Sequence, residues 1–93
     1  MSRIYTSKFS PGRARWELVV GPEGDVYAFP LSLAIAQRQV LDGHRRYLVG
    51  RVTKSEGVWT ATSPSGLVFG SRFPSLTAAV EVVADEVDLA PVA

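Results

Sequence analysis

One histidine, His44, is the chain's only imidazole, and it stands beside Arg45 and Arg46. General acid-base or nucleophilic catalysis needs a base, an orienting partner and a nucleophile within reach of one another. Just past an expected helix end, His44 reads as a structural or solvent-exposed residue, and no catalytic residue is assigned. The chain has no cysteine, so neither a disulfide framework nor a thiolate metal site can form. No pair of His, Asp and Glu shows metal-ligand spacing. The turns Pro22-Glu23-Gly24 and Pro64-Ser65-Gly66 lack the longer glycine-rich stretch and the lysine of a phosphate loop. The chain is therefore expected to be non-catalytic, with no cofactor and no metal.

Contact chemistry is better represented. With the tryptophans turned toward a core, the outward residues of the early strands include Thr6, Lys8, Arg15, Glu17, Arg51, Thr60 and Thr62. Lys8, Arg13, Arg15, Arg45 and Arg51 could touch phosphates, and Tyr27 or Phe69 could stack on bases. The same cations also serve as solvation and edge protection on exposed strands, and aromatics are commonly core. The sequence pI of about 8.2 is below the strongly basic range of nucleic-acid domains. Ile4, Val19, Tyr47, Val49 and Val58 fall on the parity opposite the core, which would make an apolar outer face seeking a partner. The first expectation is an interaction module that binds a protein partner or a second copy of itself as a homodimer. A nucleic-acid-binding protein using a basic sheet face is the alternative.

The elements that would position these residues emerge from an internal repeat. Arg3 through Trp16 lies without a gap on Arg46 through Trp59, so that Arg3 meets Arg46, Lys8 meets Arg51, Ser10 meets Thr53 and Trp16 meets Trp59. After a one-residue deletion, Pro22-Glu23-Gly24-Asp25-Val26-Tyr27-Ala28 lies on Pro64-Ser65-Gly66-Leu67-Val68-Phe69-Gly70. Regaining that residue places Ser32-Leu33 on Ser75-Leu76, Ala36 on Ala79 and Val40 on Val83. Alternation of Tyr5, Ser7 and Phe9, and of Leu48, Gly50 and Val52, predicts the first strands. Trp16, Leu18 and Val20, with Trp59 and Ala61 in the copy, predict the second; Val26 to Phe29 and Leu67 to Arg72 predict the third. Each third strand ends at a proline, and a serine follows to cap a helix. Leu33, Ala36, Val40 and Leu41 stripe the first helix, which Gly43 ends; Leu76, Ala79, Val80, Val83 and Val87 stripe the second.

The expected fold is α+β: a tandem βββα-βββα duplication whose antiparallel three-stranded units share one core with pseudo-two-fold symmetry. It makes a single domain over 1–93, with repeats at 3–43 and 46–88 and a frayed tail at 89–93. The 93 residues suit one core. Residues 1–54 carry nine Lys or Arg against four Asp or Glu, and residues 55–93 one against five. That asymmetry fits a basic front and a self-solvating acidic helix. No apolar run approaches a membrane span, and Met1 to Phe9 interleaves Arg3 and Lys8 where a signal peptide would be apolar. A soluble, cytoplasmic protein with no membrane contact is expected.

Ile4-Tyr5-Thr6-Ser7-Lys8, Trp16-Glu17-Leu18, Gly24-Asp25-Val26 and Leu33 to Ala36 together resemble the YegP-like family of small, functionally uncharacterised bacterial and archaeal proteins. The resemblance covers nearly the whole chain, although Pro-Glu-Gly and Pro-Ser-Gly stand where that family more often has Asn-Gly. It implies the tandem strand-strand-strand-helix fold and brings no catalytic residue. The second copy, from Gly57 through Ala79, also loosely resembles the AP2-like and integrase N-terminal DNA-binding domains, which implies a sheet face laid in a groove.

Overall fold

A computed structural model describes residues 2–10, 14–38 and 45–92. Its strands are β1 (Ser2–Ser7), β2 (Arg15–Val20), β3 (Asp25–Pro30), β4 (Leu48–Ser55), β5 (Val58–Thr62), β6 (Val68–Phe73) and β7 (Leu89–Pro91). A single helical turn, α1 (Ile35–Arg38), and a 3-10 turn (Arg45–Tyr47) separate β3 from β4, and α2 (Leu76–Glu86) separates β6 from β7. All seven strands join one antiparallel sheet in the order β6-β5-β4-β3-β2-β1-β7. The first six are thus an uninterrupted meander.

Local chemistry explains the hairpins. Between β4 and β5 only Glu56 and Gly57 turn the chain, with φ of 53° and 83°. Two successive positive φ values make the tight turn whose twist matches that of paired strands. The two Pro-x-Gly segments build the same loop twice. Gly21 N–H donates to Asp25 O at 2.8 Å and Gly24 N–H to Gly21 O at 3.0 Å. In the copy, Ser63 N–H donates to Leu67 O at 2.8 Å and Gly66 N–H to Ser63 O at 3.0 Å. Gly24 and Gly66 end these loops at φ of 90° and 100°, where a side chain would be strained.

The core lies between the sheet and α2. Tyr5, Leu18, Val26, Ala28, Val52 and Ala61 project from the strands against Ala79, Val80, Val83 and Ala84 of α2, with Leu89 of β7 beside them. Ser75 caps α2 by accepting from Ala78 N–H at 3.1 Å. The helix packs close because Gly50 lies beneath it; a methyl group there would meet Val83 Cγ1 and Thr62 O at 2.7 Å. Flat, the sheet would be ~29 Å across, whereas α2 is ~16 Å long. Yet α2 touches both edge strands, β6 and β7, as well as β4 and β5, so the sheet curls around it as an open half-barrel.

This architecture corrects the α+β duplication expected from the repeat. The structure is mostly sheet, in which β3 pairs with β4 and joins the units edge to edge, and among the described residues only α2 exceeds a single turn. The trough is spanned by α2, because that helix must carry the chain from β6 at one edge to β7 at the other. Two equivalent helices around a pseudo-two-fold axis have no place in it. Of the expected first-helix stripe, Ala36 is exposed and Leu33 half-buried, while Val40, Leu41 and Gly43 lie outside the described residues. The tail expected to fray instead forms β7, which pairs with β1 through Tyr5, Thr6 and Ser7 and buries Leu89.

After β3, Leu31, Arg38 and Tyr47 lie on the convex side. Tyr27 and Phe29 are buried there with rings stacked at 5.6 Å, and Tyr47 meets Phe29 edge-on at 5.4 Å. Arg38, also buried, reaches Glu17 Oε1 at 3.5 Å and Leu31 O at 3.5 Å.

Candidate functional site

A cleft opens at each end of α2, each lined by one of the repeated tryptophans. At the N-terminal end the cleft is about 520 Å³ and is walled by Val20, the Gly21–Gly24 loop, Val52, Thr53, Lys54, Trp59 and Leu76. At the C-terminal end a smaller cleft of about 320 Å³ lies against Trp16, Tyr47, Arg46 and Asp88.

Each wall of the Trp59 cleft follows from the sequence nearby. The two-residue turn at Glu56-Gly57 sets Lys54 directly across from Trp59. Their side chains share the concave face, with Lys54 Nζ 5.9 Å from the indole centroid. Trp59 is half-buried and packs on the edge of the core. The opposite wall is fastened to β4 by a backbone hydrogen bond: Val52 N–H donates to Gly24 O at 2.9 Å. A methyl group on Gly24 would lie 2.1 Å from Val52 O, so only glycine lets this loop seat on β4. Its repeat partner Gly66 faces open space. Apolar surface thus comes from Val20, Val52, Trp59 and Leu76, and charge from Lys54 and Glu23. The site can hold an apolar body and orient it by charge, the usual composition of a ligand cleft.

The basic residues singled out from the sequence are not gathered on one face. Lys8 donates to Asp85 Oδ1 and to Asp85 O, which ties it to α2. Arg51 projects from the convex face, where its Nε lies 2.9 Å from Asp25 Oδ1. Arg15 begins β2 and Arg45 begins the 3-10 turn, both exposed. Arg13 and His44 lie outside the described residues. Tyr27 is buried against Phe29, and Phe69 packs against the core. Arg3 Nη1 lies 2.9 Å from Glu81 Oε1, so the basic front and acidic helix meet across β1 and α2.

The expected outer apolar face is also divided. A register shift between Val26 and Tyr27 gives β4 an extra residue, which turns Val49 against the core. Tyr47 packs on Phe29, Ile4 and Val19 are half-buried, and Val58 is exposed. The Trp59 cleft was missed because tryptophan on a core-facing parity reads as filling; the signal that could have found it is the Lys54–Trp59 register implied by the two-residue turn.

Among the described residues no three His, Asp or Glu side chains are grouped to hold a metal ion, and no helix is long and apolar enough to cross a membrane. No family profile, curated protein or solved structure matches the chain.

Proposed function

We propose that this chain is a small non-catalytic binding module whose recognition site is the Trp59 cleft, into which a partner places an apolar group. One observation carries this reading: the cleft of about 520 Å³ joins a half-buried indole to a loop that a backbone hydrogen bond fastens to β4. That volume lies within the range of about 300–1,000 Å³ typical of ligand sites. A preformed wall lowers the ordering cost of binding.

The two tryptophans make the test internally controlled. In a two-dimensional amide and indole NMR spectrum, titration with 2-naphthylmethanol is expected to shift the Trp59 Nε1–H signal and the Gly21 and Gly24 amides along one saturable curve. The Trp16 Nε1–H signal reports separately on the cleft at the other end of α2. Failure of both 2-naphthylmethanol and 2-naphthoate to give a saturable Trp59 shift up to their solubility limits rejects the cleft as a binding site.

A further inference from the structure

We infer that the ligand class of the Trp59 cleft is a small aromatic acid, its ring against Trp59 and its anionic group at Lys54 Nζ. The inference rests on the preceding reading and adds the charge of the ligand. The cleft's charged lining is Lys54 and Glu23, and their placement differs. Lys54 Nζ lies 5.9 Å from the Trp59 ring centroid, at the place where a bound ring would carry its substituent. Its exposed stem lets the ammonium move from the indole face to the rim, exchanging a cation–π contact for a stronger charge-assisted hydrogen bond. Glu23 sits on the loop of the opposite wall; it is exposed like Lys54, so water weakens both charges, and Glu23 acts on a bound anion with the opposite sign.

The two ends of the trough differ in polarity. Leu76, at the Trp59 end, opens the first turn of α2, which holds no acidic residue. The aligned peptide dipoles therefore reinforce Lys54 there. At the other end, the helix C-terminus and Asp88 face the Trp16 cleft, and Arg46 lies 4.8 Å over the Tyr47 ring. Both ends offer an indole, apolar walls, one cation and one carboxylate, so the polarity of the helix end is what favours an anion beside Trp59.

The experiment compares 2-naphthoate with the neutral, near-isosteric 2-naphthylmethanol on the full chain, read at Trp59 and Trp16 by NMR. The acid is expected to half-saturate Trp59 at a concentration about two- to fivefold below the alcohol, the worth of one exposed charge contact. Lys54→Met is expected to bring the acid to the level of the alcohol, and Glu23→Gln to tighten the acid while leaving the alcohol unchanged. Both substitutions fall on exposed side chains, and an unchanged spectrum of each unliganded variant verifies its fold. Equal affinity for acid and alcohol, an unchanged acid affinity in Lys54→Met, or a shift centred on Trp16 overturns the aromatic-acid assignment and leaves the cleft as an apolar site. Absence of any binding removes the cleft itself, so the two failures are distinguishable.

Discussion

Tyr5 is the residue at which the core is least well satisfied. It is fully buried, and its hydroxyl makes no hydrogen bond of normal geometry among the described residues, although the Arg3 guanidinium is near enough to act on it. Burial pushes the phenol above its ordinary value of about 10, with the Arg3 guanidinium acting against the shift and Glu81 adding to it. The Lys8 ammonium is raised as well, chiefly by its hydrogen bond to Asp85, against a smaller opposing effect of desolvation. Both groups hold their protons more tightly folded than unfolded. Their contribution is therefore complete below about pH 10 and is lost as pH rises from the unfolded values through the folded ones. Urea midpoints are expected to fall as pH rises above about 10, and Tyr5→Phe should flatten part of that fall. At neutral pH Tyr5→Phe should range from neutral to about 1 kcal/mol more stable, because it removes a polar atom that burial leaves unpaired. A loss of more than about 1 kcal/mol would mean that the hydroxyl is satisfied after all.

Elements follow local chemistry closely. Ser75 stands where the sequence places a cap and bonds Ala78 N–H, so Ser75→Ala is expected to cost about 1 kcal/mol in chemical denaturation. The Glu56-Gly57 turn is less well matched to its residues. Glu56 holds φ of 53° in a position where asparagine is more comfortable. Glu56→Asn is expected to stabilise by about 0.5 kcal/mol, read as a raised thermal midpoint; a lowered midpoint would show that Glu56 makes a favourable contact. The duplicated Pro-x-Gly loops show where such local reading ends. Their hydrogen-bond patterns match, yet Gly24 is pressed onto β4 while Gly66 faces solvent, and only the first becomes the wall of a cleft.

At the scale of the molecule, stability depends on the crossover from β6 through α2 to β7. Leu89 is the buried side chain that seats β7, and Val92 N–H donates to Ile4 O at 3.1 Å just beyond it. Leu89→Ala is expected to cost about 2–3 kcal/mol, with faster amide exchange along β1 and β7 than along β4 and β5. Uniform acceleration throughout the sheet would show instead that β7 opens only with the whole. Both sheet edges are blunted. β7 is three residues long and ends in Pro91. β6 has two register shifts against β5 and bears Arg72 at φ 62°. Such features hinder edge-to-edge pairing, so sedimentation at rising concentration is expected to show a 10.1 kDa monomer.

Local sequence accounts for what is decided within a few residues: the Pro-x-Gly turns, the parity of Tyr5, Leu18, Val52 and Ala61, and the Ser75 cap. Turn torsions and the two-residue period of strands are local properties, and the repeat shows them twice. The tertiary structure decided the rest. Pairing of β3 with β4 joined the units edge to edge, and the need to link β6 with β7 assigned the trough to α2. The Trp59 cleft lies beyond the start of that helix, between the Gly21–Gly24 loop of one repeat and β5 of the other. Nothing within either repeat specifies these outcomes, because they depend on which surfaces the two repeats bury against each other.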